Sequence, residues 1–475
     1  MRRTRRTFLQ QMGLTLTALG LSETSLLLMT DRYQQAIALP TRRKLALLVG
    51  INQYSEQVCD YVSSKGTALT GCLTDVALQQ ELLTHRFGFQ SSDILTLTDQ
   101  QATQQAIVDA FQAHLMEQAR PGDVVVFHFS GLGSCVKVQN PGIALARFRQ
   151  NSPEQISFVP VDGLLPTETS PVLRDLMAET LVWLLQSLHT EQITTLLDTG
   201  HTTLGRTLQG NLHIRSRPNA PSGQVSESER LLQEHLSRQT RVSREQVRSQ
   251  WQSGQLPGLV LSAASPNQVT TEVQWNGFSA GLLTYALTQQ LWCTTPATTL
   301  YFSLGQAAVA VRQTAGIEQI PSLTGQQVSL AIADATSLPS ADGFIAALDE
   351  EDKAQLWLAG LPATVVENYG ASLLEVQAEG DSPLLQVRSR EGLTFKTRLS
   401  AAEGASPLQV GQLVQERVRI LPRNVGLTVA IDASLERIER VDATSAFSAI
   451  PKVSSVKAGE QPADFLFGKN NLLKL

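Results

Sequence analysis

The sequence predicts a mostly parallel α/β sheet with helices on both faces, followed by a smaller β-rich C-terminal domain. Continuous apolar runs at residues 45–51 and 123–129 are typical of strands that are buried on both faces. Between them, residues 75–87 and 103–115 carry apolar side chains at helical spacing. Because strands and helices alternate along the chain, we expect βαβ units that build a three-layer α/β/α sandwich.

The same alternation continues along the chain and then changes. Further strands are predicted at 93–98, 156–161, 193–197 and 259–262, and further helices at 173–188, 278–291 and 302–312. Beyond residue 339 the apolar runs become short, at 356–358, 363–366, 373–376, 385–387, 418–420 and 427–431. These runs predict strands of a smaller β-rich domain over 340–450. The polar tail over 451–475 is predicted to be loose.

One segment, residues 215–255, interrupts the alternation of strands and helices. It opens with prolines and a glycine between positions 218 and 223 and continues as a polar stretch, for which a partly helical structure stays open. Its arginines are Arg215, Arg217, Arg230, Arg238, Arg241, Arg244 and Arg248. We expect an exposed linker between two halves of one domain.

Composition and charge narrow the class of protein. Apolar residues make up 42% of the 475 residues and charged residues 17%, which is typical of a globular chain with a sizeable core. The net charge of −5 is mild and no basic stripe runs along the sequence, so nucleic acid is not expected as a partner. The cysteines are Cys59, Cys72, Cys135 and Cys293. They form no CxxC pair, which argues against a zinc site and a dense disulfide framework and leaves a single disulfide open.

The first 38 residues have the order of an export signal. Two adjacent arginines, Arg5 and Arg6, precede an apolar run over 12–29 and a small-residue site that ends at Ala38. The paired arginines resemble a twin-arginine signal. A membrane anchor is the alternative, but Glu23 interrupts the run, which falls short of the ~18 unbroken apolar residues that a spanning helix needs. We therefore expect cleavage near Ala38, no membrane span in the mature chain, and a soluble protein in the periplasm or thylakoid lumen.

Ordered motifs from residue 42 to 330 carry a family resemblance. Residues 46–52 form the opening strand, 69–75 read LTGCLTD like a GC.ND motif, 127–134 read FHFSGLGS like a strand ending in SGHG, and 196–201 read LLDTGH like DSCHSG. These motifs resemble the caspase-like peptidases, and within them the metacaspase or orthocaspase type of bacteria. The resemblance implies a caspase-like sandwich over 42–335, with a large-subunit region at 42–214, the linker at 215–255 and a small-subunit region at 256–335.

The sequence departs from the family pattern at the two positions that carry the chemistry. Leu132 stands where the family has the general-base histidine, and Gly200 stands where it has the nucleophilic cysteine. The family attacks the scissile carbonyl with a thiolate that a neighbouring imidazole activates. Leucine accepts no proton and glycine has no nucleophile, so the resemblance implies a pseudoenzyme without catalytic residues.

Four nearby residues could replace the missing groups, and none is expected to do so. His201 is interpreted as a turn residue, and His128 as a core or hydrogen-bonded histidine of a buried strand. Cys72 and Cys135 lie near the ends of strands, where α/β sheets place ligands. A nucleophile at either position lacks an identified base.

The residues that the resemblance assigns to the binding pocket of the family are retained in this sequence. In metacaspases this pocket is acidic and receives Arg or Lys; here it maps onto Cys72, Asp75, Ser130 and Asp198. Two carboxylates that converge in a cleft suit a guanidinium. The alternative is that Asp75 caps its own helix and Asp198 closes a turn, and both interpretations stay open.

Three functions follow from this sequence. The leading hypothesis is a catalytically inactive caspase-like protein that binds a basic peptide, a protein partner or an active relative, and whose own chain stays intact. The first alternative is an active cysteine endopeptidase that cuts after Arg or Lys with non-standard residues. The second is a scaffold that acts through the β-rich domain. Calcium activates many metacaspases, but no acidic cluster has the ligand spacing to which we could assign it, so no cofactor is predicted.

Overall fold

The computed structural model describes residues 43–58, 69–138, 154–167, 169–202, 211–217, 221–294, 300–325, 339–350, 353–378, 382–400, 407–420, 426–458, 463 and 465–469. The predicted export signal at 1–38 and Cys59 lie outside these residues. The described chain divides into two compact units. The first comprises the described residues up to 202 and those of 214–271 and 280–340; the second comprises 211–213, 272–279 and the described residues from 341 onward.

The elements of the described residues follow in chain order. The strands are β1 (Lys44–Gly50), β2 (Ile94–Thr98), β3 (Val124–Ser130), β4 (Gly133–Val138), β5 (Glu154–Phe158), β6 (Val172–Leu173), β7 (Leu176–Met177), β8 (Gln192–Asp198), β9 (Leu212–Ile214), β10 (Ser222–Val225), β11 (Leu259–Ser262), β12 (Thr271–Trp275), β13 (Phe278–Gly281), β14 (Ser322–Gly325), β15 (Gly343–Glu350), β16 (Lys353–Leu358), β17 (Leu373–Val376), β18 (Leu384–Glu391), β19 (Thr394–Ser400), β20 (Leu413–Val418), β21 (Leu427–Ile431), β22 (Val453–Lys457) and β23 (Phe465–Phe467). The α-helices are α1 (Cys72–Phe87), α2 (Gln104–Ala110), α3 (Ala178–Gln186), α4 (Glu227–Thr240), α5 (Arg244–Ser253), α6 (Leu282–Trp292), α7 (Leu300–Ala315), α8 (Ala363–Glu367) and α9 (Arg437–Ser448).

A six-stranded sheet in the order β14-β11-β8-β3-β1-β2 forms the centre of the first unit. Its strands are parallel except for β14, which pairs antiparallel with β11 at the edge. Strands β1, β3 and β8 are buried along nearly their whole length, as their apolar runs predict. Gly50, Ser130 and Asp198 end these three strands in matching register, so the three strand ends meet at one edge of the sheet.

Helices cover this sheet and complete the core. Helix α1 packs against β1 and α6, and helix α3 packs against α4 and α5. The main core cluster includes Phe111, Phe127 and Trp183, and the rings of Phe111 and Phe127 meet edge to face with centroids 5.5 Å apart. The predicted α/β fold with a β-rich C-terminal region is confirmed.

Short sequence signals predicted the start of one helix correctly and the type of another element wrongly. Thr103 caps α2 as predicted, because its hydroxyl oxygen accepts a hydrogen bond from the Ala106 N–H at 3.2 Å. The helix then continues as a π-helical turn at Phe111–Met116. The prediction of a strand at 363–366 is wrong, since α8 occupies Ala363–Glu367 directly after Pro362. A proline suits a helix start, and a short apolar run does not by itself distinguish strand from helix.

The prediction of an exposed linker over 215–255 is also wrong for its described part. Helices α4 and α5 fill most of this segment, and Leu236 and Val247 are fully buried in the main core cluster. Ser226 and Ser243 cap the two helices with their hydroxyl groups. The segment appears loop-like in sequence because its outer faces are strongly polar, whereas only a narrow apolar stripe faces the core.

The second unit is rich in strands. Six of them close into a barrel in the order β15-β16-β19-β18-β17-β20. Strands β22 and β23 each pair parallel with β21, so the prediction of a loose tail over 451–475 is wrong for the described residues. Their backbone hydrogen bonds to β21 supply the order that a polar composition does not reveal. In the part of the chain that the structure describes, no helix is long and apolar enough to cross a membrane.

The packing of α4 predicts a site-specific loss of stability. Leu236→Ala removes a fully buried side chain and should lower the free energy of unfolding by about 2–5 kcal/mol. Leu231→Ala on the same helix is the matched control, because Leu231 is 52% exposed and should change stability by less than about 0.5 kcal/mol. Urea unfolding of both variants measures the difference. Equal effects would mean that α4 does not pack on the core.

Candidate functional site

Three strand ends and one helix start position the candidate site. Ser130 and Asp198 lie opposite each other at the ends of β3 and β8, and Asp75 lies in the first turn of α1. A side chain at Gly50 would bring a Cβ within 2.7 Å of the Cys72 carbonyl oxygen, so glycine at the end of β1 lets α1 begin against the sheet. The predicted pocket residues Asp75, Ser130 and Asp198 are thereby brought together.

We call Asp75, Ser130 and Asp198 the acidic seat. All three are fully buried, and the Ser130 hydroxyl donates to Asp75 Oδ2 at 2.7 Å. The Gly281 N–H donates to Asp75 Oδ1 at 2.9 Å. The N–H and hydroxyl of Thr284 donate to Asp198 Oδ2 at 2.9 and 2.6 Å. Neither carboxylate therefore serves as a local cap or turn: both are held by the start of α6, far away in sequence.

The guanidinium of Arg215 lies in this seat. Its Nη1 is 2.7 Å from Asp75 Oδ2 and 3.3 Å from Asp198 Oδ1, and it donates to Ser130 Oγ at 2.9 Å. The Arg215 side chain is fully buried. A buried guanidinium needs such partners, since an unpaired buried charge is strongly unfavourable.

The charge balance of the seat affects its protonation. Two carboxylates and one guanidinium share a volume without solvent contact. Burial raises the pKa of the Asp75 carboxyl to about 7; the neighbouring Asp198 charge adds to the rise, whereas Arg215 and Ser130 oppose it. The groups that donate to Asp75 favour its ionised form, so the seat is suited to a cation.

Sequence reasoning found the seat but missed its occupant. It placed Arg215 in an exposed linker as one arginine among several, and the structure corrects this. The one available signal was the seat itself, because two buried carboxylates side by side require a cation. Cys72, the fourth predicted pocket residue, is buried at the start of α1, where its N–H donates to Asn52 Oδ1 at 2.8 Å.

The backbone of Arg215 is held as firmly as its side chain. Its carbonyl oxygen accepts hydrogen bonds from the N–H groups of Gly133 at 3.2 Å and of Gly200 at 2.9 Å. Its own N–H donates to the Thr270 carbonyl oxygen at 2.8 Å. Two N–H groups that converge on one carbonyl oxygen polarise that carbonyl. They belong to Gly133, the residue after Leu132, and to Gly200.

The surroundings of these two positions are tightly packed. Leu132 is buried, and its N–H donates to the Tyr54 hydroxyl at 2.9 Å. A Cβ on Gly133 would lie 2.1 Å from the Gly200 carbonyl oxygen, so only glycine fits there. The ring of His201 packs edge to face on Phe158, with centroids 6.0 Å apart, and burial lowers the pKa of His201 to about 4. The His201 residue is half-buried in the turn after β8, which agrees with the expectation that it shapes this turn.

The remaining candidate side chains, His128 and Cys135, lie in environments that shift their pKa values away from the ordinary ones. The prediction of a core His128 is confirmed: the ring is fully buried, its Nδ1 lies 3.2 Å from the Leu196 carbonyl oxygen, and burial lowers its pKa to about 3. Burial and the hydrogen bond to Glu154 raise the pKa of the Cys135 thiol to about 12. Among the described residues, no group of three acidic, histidine or cysteine side chains could hold a metal ion.

The comparisons with known proteins agree with this architecture. A family model described as Caspase domain matches residues 43–330, which is more than half of the chain. The chain therefore belongs to the caspase-domain peptidase family.

Its curated relatives are metacaspases. It is 38% identical over 101 residues to Metacaspase-1 of Meyerozyma guilliermondii, covering 20% of this chain and 22% of that protein. It is 41% identical over 97 residues to Metacaspase-1 of Yarrowia lipolytica, covering 19% of each chain. It is 43% identical over 112 residues to Metacaspase-1 of Lodderomyces elongisporus, covering 22% of each chain. The chain thus matches about a fifth of the length of these relatives.

The buried His128 predicts a dependence of stability on pH. Its folded pKa of about 3 lies below the ordinary value of 6.5, so the unfolded state binds more protons between these values and stability falls as the pH falls below 6.5. His128→Leu removes this titration. Relative to that variant, the natural protein should lose on the order of 3 kcal/mol between pH 7 and pH 4. Urea unfolding at several pH values measures this difference, and a constant difference would show that His128 remains free to protonate.

Proposed function

We propose that this chain is a caspase-domain protein without peptidase activity, of the bacterial orthocaspase type, whose acidic seat serves to bind arginine. One observation carries the proposal: Leu132 and Gly200 occupy the positions to which the resemblance assigns base and nucleophile, beside a seat that is fully formed. Thiol proteolysis needs both groups, and the loss of either one typically reduces the rate by several orders of magnitude.

The alternative of an active endopeptidase would need another thiol. Cys135 is half-buried and donates to Glu154, and its raised pKa leaves a thiolate fraction on the order of 10⁻⁵ at pH 7. Cys72 is fully buried at the start of α1. Neither environment has the electropositive and partly exposed character of a reactive cysteine. These observations favour a protein without peptidase activity over an active endopeptidase.

The proposed binding site for arginine already contains an arginine of the same chain. The seat offers two carboxylates and a hydroxyl, which suit an arginine side chain. Because Arg215 of the same chain fills it, a basic peptide from another protein can use this seat only by displacing Arg215. Export by the twin-arginine-type signal at 1–38, to the periplasm or thylakoid lumen, belongs to the same proposal.

The proposal predicts no turnover of peptide substrates. The chain without residues 1–38 should release no fluorophore from Arg, Lys or Asp peptides, with or without calcium, in a buffer where an active cysteine peptidase turns them over. Its own chain should remain a single band. The variants Cys72→Ala, Cys135→Ala and Cys293→Ala should each behave like the natural protein.

One outcome of that assay would refute the proposal. Turnover that disappears in one of these three variants would identify a working thiol. Alkylation by iodoacetamide gives an independent reading, because Cys135 should react slowly at pH 7 and faster as the pH rises toward its raised pKa.

A further inference from the structure

We propose that the segment from Ile214 to Arg217 is a built-in pseudosubstrate: Arg215 occupies, in its own chain, the place of the residue whose carbonyl group a peptidase of this fold would attack. The segment thereby closes the acidic seat to other peptides. This inference rests on the proposed function and adds to it the identity of the bound ligand and its position relative to the missing chemistry.

The side chain provides the first argument. Arg215 is not simply near the seat: its Nη1 contacts Asp75, Ser130 and Asp198 together, at 2.7, 2.9 and 3.3 Å. Nη1 also donates to the Asp198 carbonyl oxygen at 3.2 Å. Four oxygen atoms around one guanidinium nitrogen hold the cationic end of this side chain within the seat. The seat therefore already holds the ligand for which its chemistry is suited.

The carbonyl group provides the second argument, which is independent of the first. Gly133 and Gly200 both donate their N–H groups to the Arg215 carbonyl oxygen. A pair of fixed backbone donors on one carbonyl oxygen is the arrangement that stabilises an oxyanion during acyl transfer. Any buried carbonyl oxygen needs a donor, but here both donors belong to positions 133 and 200, at or next to the positions to which the resemblance assigns base and nucleophile.

The flanking residues hold the segment as a bound peptide. The Arg215 N–H donates to the Thr270 carbonyl oxygen, and the Arg217 N–H donates to the Gly133 carbonyl oxygen at 2.7 Å. Ser216 forms a parallel bridge with Gly133. Backbone pairing on both sides of one anchored side chain is how extended peptides bind at the edge of a sheet.

A second ion pair fixes the segment just beyond Arg215. The Arg217 guanidinium binds both carboxylate oxygens of Asp175, at 2.9 and 3.2 Å, and donates to the Gly163 carbonyl oxygen at 2.8 Å. Arg217 and Asp175 are both buried. The buried side chains of Arg215 and Arg217 are both anchored, and Ser216 lies between these two residues. The peptide bond from Arg215 to Ser216 is therefore held in one place.

The space at position 200 completes the geometry. A Cβ on Gly200 would lie 3.3 Å from the Arg215 carbonyl oxygen and 3.1 Å from both the backbone nitrogen and the Cβ of Thr270, so these neighbours would have to move by a few tenths of an ångström. A side chain introduced at position 200 would therefore begin next to the Arg215 carbonyl group. Because Gly200 has no side chain, it offers no nucleophile to attack the peptide bond from Arg215 to Ser216.

Attachment to the same chain makes this segment difficult to displace. A tethered ligand acts at an effective concentration in the millimolar range or above. A free arginyl peptide of micromolar affinity at micromolar concentration would not compete with it. The natural protein should therefore bind no arginine derivative at this seat.

Restoring the chemistry tests the position of the carbonyl group. In the double variant Leu132→His/Gly200→Cys, the introduced thiolate sulfur should bond to the Arg215 carbonyl carbon while the Arg215–Ser216 C–N bond breaks. The introduced imidazole takes the thiol proton and passes it to the leaving Ser216 amine, and water then hydrolyses the thioester. Mass spectrometry should find one cut, after Arg215.

The controls separate this inference from general proteolysis. Adding Arg215→Gln to the double variant should abolish the cut. Adding Arg238→Gln should not, because Arg238 is 79% exposed on α4. A folded double variant that stays whole, or that cuts elsewhere first, would overturn the placement of Arg215. Self-cleavage of the natural protein would instead overturn the proposed inactivity, and the two failures are therefore distinguishable.

Emptying the seat tests the ligand without any catalysis. Arg215→Ala leaves two buried carboxylates without their cation and should lower the Tm of the full chain. Millimolar ethylguanidinium, which has no peptide backbone and fits the space that the Arg215 side chain leaves, should restore part of that loss in a saturable manner, whereas the uncharged ethylurea should not. The natural protein and Arg238→Ala should show no shift with either compound. Equal shifts with both compounds, or none in Arg215→Ala, would overturn the inference.

Discussion

The charge cluster of Arg215, Asp75 and Asp198 is the interaction on which the first unit depends. It is closed to solvent, so each charge must be balanced by the others, and removal of one partner of such a cluster typically costs about 3–5 kcal/mol. The cluster joins the ends of β3 and β8 to the start of α1. Through Gly281 and Thr284 it also joins them to the start of α6. These elements are thus linked by hydrogen bonds to buried charges in addition to apolar packing.

The same cluster links the architecture to function. A peptidase keeps its seat open, because each substrate must enter and leave. Here the Arg215 side chain fills the seat, and the N–H groups of Gly133 and Gly200 bind the backbone carbonyl oxygen of the same residue. Binding the ground state of a peptide this completely would slow any turnover, since catalysis needs tighter binding of the transition state. The acidic seat therefore holds an arginine of its own chain.

The sequence predicted the parts of the molecule whose signals are local. Apolar runs revealed β1 and β3, and the position of Thr103 revealed the start of α2. The placement of Arg215 could not be predicted in this way, because its partner Asp75 lies 140 residues away and six other arginines share its segment. The burial of helices α4 and α5 was missed for a related reason: their polar faces dominate the composition, and the sequence does not show that Leu236 and Val247 face the core. The seat was predictable from motifs, whereas its occupant depends on tertiary structure.

Gly133 allows two loops of this site to approach each other closely. Any side chain there would collide with the Gly200 carbonyl oxygen, so the glycine permits the close approach of two loops that carry the donors for Arg215. That approach is needed to bind a carbonyl group, whether or not the bond beside it is ever cut. Leu132 adds a buried apolar side chain to the core at the position of the base, and burial of this size stabilises by about 2 kcal/mol. Position 132 therefore contributes to packing, and positions 133 and 200 contribute to binding. Gly133 and Gly200 thus hold the backbone of Arg215 beside the acidic seat, and Leu132 adds a buried side chain to the core next to them.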